Sequence, residues 1–203
     1  MPEPIWPDDV RSTIGRRVEL LADDTRRILA AASVLGRRFD LLTLAATTRL
    51  DSEIVAGALA EAVAAEVITP EGDDRFAFAH ALVEDTLYDS LTGARRSRIH
   101  GAAAAALEQL HPDDPPLAAI AYHRCAALPA GDRDLAVDYA QRAGADAAAR
   151  GAHEQAVQHY ERALDAARCA DRGGCTLDAA SEIALLCDLA SACEHAGQQS
   201  RAE

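Results

Sequence analysis

The side chains of this 203-residue chain best suited to chemistry are five cysteines and seven histidines. Cys125, Cys169, Cys175, Cys187 and Cys193 would serve as thiolate nucleophiles, redox partners or zinc ligands. Paired cysteines in structural zinc sites are usually separated by about two to four residues. Here Cys169 and Cys175 are separated by five, as are Cys187 and Cys193. On one helix, Cys187 and Cys193 would be turned about 600° apart and face different ways. No metal site is predicted. Small core cysteines account for the pattern better, with a redox pair of Cys169 and Cys175 as the alternative. His153 and His159 diverge on one helix for the same geometric reason, and His123 reads as a packed, hydrogen-bonded residue. With neither a G-x-S-x-G elbow nor an H-E-x-x-H pair, no catalytic residue is predicted. His80 is the most informative histidine. It lies in Phe76-Ala77-Phe78-Ala79-His80-Ala81-Leu82-Val83, where a hairpin hands over to a helix. Ring donors and helix-start N–H groups could both face an anion there. A plain helix-capping histidine is the other reading.

Composition narrows the field further. All 20 basic residues are Arg, there is no Lys or Asn, and Ala occurs 47 times. Without Lys there is no Walker A phosphate loop, Schiff base or lysine general base, so the chain is not expected to hydrolyse nucleotides or to be an enzyme. A net charge of −13 argues against non-specific nucleic-acid or anionic-membrane binding. No apolar run reaches the ~18–20 residues of a membrane span. The start, Met1-Pro2-Glu3-Pro4-Ile5-Trp6-Pro7, lacks a basic n-region and an apolar h-region, and a cytoplasmic location is expected. The odd number of cysteines argues against a disulfide framework.

The elements that would position His80 are mostly helical. After an extended segment over residues 1–9, helical spacing recurs through Val10, Ile14, Val18 and Leu21, then from Asp24 to a stop at Gly36. Phe39-Asp40 opens a third helix, and Asp51-Ser52-Glu53 caps a fourth that carries Val55, Leu59 and Val63 inward. Val67-Ile68-Thr69 and Arg75–Phe78, joined through Pro70–Asp74, read as the one hairpin. Helices over about His80–Leu91 and Ala94–Leu110 follow. Helices, a hairpin and a further helix give the order of a winged helix over residues 10–110.

His111-Pro112-Asp113-Asp114-Pro115-Pro116 is the linker, residues 111–116. Beyond it, helices are expected over about 117–128, 133–150, 152–168 and 177–196. Ala156, Tyr160 and Ala163 place small, aromatic and small residues on one face, with Gly144 in the helix before and Gly151 at the turn. That is the pattern of a tetratricopeptide (TPR) repeat, in which helices approach closely. A shift of 46 residues aligns Gly151 with Gly197, so the last helix should end there and Gln198–Glu203 begin its partner. Residues 117–203 are therefore expected to be a TPR-like α-solenoid cut from a longer array. The face around Leu185, Leu189 and Cys193 would be left uncovered and available for self-association.

In a DNA-reading winged helix, the helix before the hairpin enters the major groove. Here that helix, Asp51–Ala65, carries Asp51, Glu53 and Glu61 and no Arg, so it would repel phosphates and could not read guanine. Direct nucleic-acid binding is not expected. The Arg pairs, Arg95-Arg96 among them, read as solvated faces or partner salt bridges. Arg95, Arg96 and Tyr160 are the candidate contacts to a partner or neighbouring domain.

Three phrases together carry a resemblance: Arg37-Arg38-Phe39-Asp40 after Ala30–Gly36, then Phe78-Ala79-His80-Ala81-Leu82-Val83 with Leu87-Tyr88, then Ala94-Arg95-Arg96-Ser97-Arg98-Ile99-His100. They resemble the region after the ATPase module in bacterial STAND-type ATPases, as in large LuxR-family transcriptional regulators and adenylate-cyclase/ATPase fusions. The resemblance implies a winged helix that packs as a lid on an ATPase core, followed by a superhelical arm that senses an inducer or protein partner. It also implies that His80 contacts the β-phosphate of ADP, with ATP or ADP a cofactor of the parent protein and none bound by this chain alone. The family motif often carries an acidic residue where this chain has Ala81. A freestanding TPR-type adaptor for a peptide or protein is the alternative.

Overall fold

A computed structural model describes residues 17–169 and 179–199. The extended segment 1–9, the expected helix positions Val10 and Ile14, Cys175 and the Arg172-Gly173-Gly174 break lie outside the described residues, as do positions 200–203. The fold is mostly helical with a small three-stranded antiparallel sheet. The chain divides into two compact units, Met1–Ala106 and Leu107–Glu203.

In the first unit, a helical turn at residues 17–19 brings Val18 and Leu21 into the core, ahead of α1 (Asp23–Leu35). Glu61 fixes the start of α1 by accepting from the Ala22 N–H at 2.9 Å and from the Thr25 hydroxyl. Gly36 ends α1 with φ 108°, a conformation that side chains disfavour. The next three residues form a strand, β1 (Arg38–Asp40), before α2 (Leu41–Thr48) and α3 (Ser52–Ala64). Asp40 and Asp51 cap these helices, accepting from the Thr43 and Glu53 N–H groups at 2.7 and 2.8 Å.

The hairpin strands are β2 (Ile68–Pro70) and β3 (Arg75–Phe78), and the sheet order is β1-β3-β2. The expected hairpin is thus one part of a larger sheet. Phe39-Asp40 does more than open a helix, because Phe39 pairs opposite Phe76 and Arg38 opposite Ala77. Phe39 turns inward onto Phe78, ring centroids 5.4 Å apart. Leu29, Leu44, Leu59, Ile68, Phe78 and Val83 complete one continuous core. Two helices follow, α4 (Ala81–Asp89) and α5 (Gly93–Leu110); α5 runs through the division between the units.

The second unit holds α6 (Leu117–Ala126), α7 (Arg133–Ala149), α8 (His153–Arg168) and α9 (Ala179–Gln199). Each of these helices packs against the next, and α6 also touches α8. The core is built from alanines, with Tyr160, Leu164 and Leu185 as its large members. Alanine cores demand close helix approach, since little side-chain volume separates the backbones. Gly151 makes the α7–α8 turn at φ 77°. Gly197, by contrast, sits inside α9, which continues to Gln199. The 46-residue repeat places a turn at Gly197 because Ala matches Ala at almost any shift, and glycine is tolerated within a helix at a cost of about 1 kcal/mol.

Candidate functional site

His80 occupies the N-cap of α4 in an extended conformation (φ −138°, ψ 143°). Two backbone bonds hold it there: Phe78 N–H donates to Arg37 O at 3.0 Å and Ala79 N–H to Val67 O at 3.1 Å. Its ring is exposed and makes no capping hydrogen bond, while its carbonyl accepts from Val83 N–H at 3.0 Å. The capping alternative therefore describes its backbone and not its imidazole.

Ala79 also lines a hollow of about 480 Å³ with Arg37, Arg38, Thr69 and Glu71. Arg38 Nε pairs with Glu71 at 3.0 Å, whereas Arg37 makes no ion pair among the described residues. Glu84, in the first turn of α4, has its carboxyl pushed up by burial and by the neighbouring charge of Asp85, against the pull of Arg37. The surface beside His80 thus combines the Arg37 guanidinium and the start of α4, which favour an anion, with the Glu71 and Glu84 carboxyls, which oppose one.

The other sequence candidates fall elsewhere. Arg95 is exposed on α5. Arg96 is turned into its own unit: its guanidinium lies 4.1 Å over the Tyr88 ring, and Nη2 donates at 3.3 Å to Tyr88 O and Leu91 O. Tyr88 O lies in the last turn of α4 and Leu91 O just beyond it, so Arg96 helps satisfy the end of that helix. Tyr160 is only 4% exposed and packs against Gly144, which makes it a core residue and not a surface contact.

Three cysteines depart from the core assignment. Cys169, Cys187 and Cys193 are exposed, because α9 buries the stripe of Leu185 and Ala192 and Cys169 caps α8. Cys125 is half-buried, and burial pushes its thiol up. Among the described residues no group of three His, Cys, Asp or Glu could hold a metal ion. His123 is packed, with the Tyr122 ring edge-on at 5.2 Å. The expected uncovered face is also displaced. Leu185 is buried and Leu189 packs onto the same cluster, while Ile183 and Leu186 are 60% and 43% exposed.

Two features carry no sequence signal. His153 stacks on His195 across α8 and α9, centroids 4.8 Å apart, a pairing that only the tertiary packing creates. A larger hollow of about 760 Å³ lies among α1, α3 and α5, edged by Arg27, Arg49, Arg95 and Arg98. Those four arginines are scattered over more than seventy positions, so no local motif marks them.

Among the described residues, no helix is long and apolar enough to cross a membrane. No protein-family model matches the chain, and no curated protein or solved structure matches it significantly.

Proposed function

We propose that the chain is a non-enzymatic regulatory arm of a STAND-type ATP-binding regulator, transcriptional or signalling, in the cytoplasm. Residues 10–110 act as a winged-helix lid on an ATPase core, and residues 117–203 as a TPR-like arm that binds an inducer or protein partner. The observation that carries this reading is the path from β1 to α4. Two helices and a hairpin follow in the order α2-α3-β2-β3, β1 closes the sheet as β1-β3-β2, and His80 stands exposed at the junction of hairpin and helix, the order expected of a winged helix. The exposed positions of α3 are Ser52, Glu53, Ile54, Ala56, Gly57, Ala60 and Ala64. A surface that is acidic, apolar and small repels phosphates but can pack on another protein. That favours a lid over a DNA reader.

In this mechanism the lid closes on the ADP-loaded core, with His80 facing the nucleotide's phosphates. Partner binding to the helical arm weakens closure, which requires the partner to bind the open state more tightly than the closed one. The test is an antibody raised to this chain and used on a lysate of the native host. A product several times heavier than 21.5 kDa, whose cleavage by trypsin within residues 75–98 is slowed by ADP, supports the reading. A 21.5 kDa product indifferent to nucleotide overturns it in favour of a freestanding adaptor.

A further inference from the structure

We propose that the hollow among α1, α3 and α5 is a binding site for a small amphiphilic anion, a carboxylate or phosphate head on an apolar body. This inference does not rest on the regulatory-arm reading. Two helices present the same spacing to the hollow: Asp24, Arg27, Ile28 and Ala31 from α1, and Arg95, Arg98, Ile99 and Ala102 from α5. Positions i, i+3, i+4 and i+7 share one helix face, so each helix contributes both charge and apolar surface to the same space. The end of α2 and the start of α3 supply Arg49, Leu50 and Ile54.

The two halves of the ligand follow from this lining. Ile28 and Ala31 are buried, while Leu50 and Ile54 remain 41% and 57% exposed, leaving apolar surface that a hydrocarbon body would cover. Arg27 is engaged by Asp24 at 3.2 Å, but Arg49, Arg95 and Arg98 make no ion pair among the described residues. Three uncommitted guanidiniums around one hollow, in a chain of net charge −13, are a local reversal of sign. Guanidinium pairs carboxylate and phosphate oxygens through two parallel hydrogen bonds, so the head group is an anion. The volume of about 760 Å³ falls in the range of small-molecule sites. An inorganic anion would leave the apolar lining wet, and an uncharged lipid would leave the arginines unused.

Calorimetric titration of the folded chain with decanoate, below its micelle concentration, tests the proposal. One saturable site is expected. Arg95→Glu/Arg98→Glu should weaken it at least tenfold, and the matched change Arg142→Glu/Arg150→Glu, on α7 and at its C-cap, should leave it unaltered. Decyltrimethylammonium should not bind. A diazirine-bearing decanoate supplies a readout on the unmutated chain, with labelling expected at Leu50, Ile54 or Ile99. The proposal is overturned by non-saturable uptake, equal binding of the cationic amphiphile, labelling elsewhere, or a folded double variant of full affinity. An acidic amphipathic peptide that binds where decanoate does not would overturn it too, in favour of a protein partner.

Discussion

Tyr160 lies so close to Gly144 that a Cβ built on residue 144 would stand 2.6 Å from the ring carbon Cε1. The aromatic ring of α8 therefore rests directly on the backbone of α7. The alanines at 140, 143, 147, 156 and 163, all buried around this contact, let the two helices meet along their length.

Gly144→Ala is expected to destabilise the chain by about 1–3 kcal/mol, the cost of forcing extra volume into a packed core. Helix propensity alone gives the opposite sign, favouring Ala by about 1 kcal/mol. Removing the ring should restore that sign, so Gly144→Ala in a Tyr160→Leu background is expected to be neutral or stabilising. Urea unfolding midpoints of wild type, the two single variants and the double variant decide it. A Gly144→Ala chain more stable than wild type, with Tyr160 in place, would show that the helices do not approach this closely.

Gly144 and Tyr160 were legible in the sequence because small and aromatic residues at helical spacing imply close packing. The caps at Asp40 and Asp51, and the hairpin strands, follow equally local rules. β1 is different: three residues are too few to show a period of two, and its pairing with β3 spans almost forty positions. The same limit hid the arginine-edged hollow and the stacking of His153 on His195, both created by packing between helices. Arg96 and Tyr160 illustrate a related limit. Residue type suggests contact, but only the fold decides whether the contact is with a partner or with Tyr88 and Gly144.

His100 on α5 is buried, with its Nε2 3.2 Å from the Tyr88 hydroxyl. Burial first, and then the charge of Arg96, lowers its pKa from 6.5 to about 4. The native chain thus keeps His100 neutral, while the unfolded chain takes up the proton near 6.5. Stability should be fully present above that pH, decline as pH falls towards 4 and flatten below it. His159 is shifted downward as well, again mainly by burial, and adds to the same trend. Urea titrations between pH 4 and 8 should give a shallower slope for His100→Gln than for wild type. An unchanged slope would mean that His100 is solvated.

Arg124 holds Glu108 through three hydrogen bonds of 2.7 to 2.9 Å, and the pair is largely shielded from solvent. Such a planar fork cannot be copied by an ammonium group. Arg124→Lys, which keeps the charge but loses part of the charged hydrogen bonding, is expected to cost about 1–2 kcal/mol. Arg124→Leu should cost more than that, because it strands a half-buried carboxylate, and Glu108→Leu on top should recover part of the loss. A double-mutant cycle by chemical unfolding measures the coupling; strictly additive effects would show that the pair contributes nothing.

His80→Ala separates a structural role from a nucleotide-contacting one. The ring is exposed and caps nothing, so its removal should shift the melting temperature of the isolated chain by no more than about 1 °C. A helix cap provided by a side chain would instead be worth about 1 kcal/mol, or roughly 2–4 °C in a chain of this size. In the native protein, the regulatory-arm reading expects ADP to dissociate at least about tenfold faster from the variant, the equivalent of one lost charge-assisted hydrogen bond. Scanning calorimetry of the chain and stopped-flow release of a fluorescent ADP analogue from the native protein give independent readouts. A stable variant with unaltered ADP release would remove His80 from the proposed nucleotide contact.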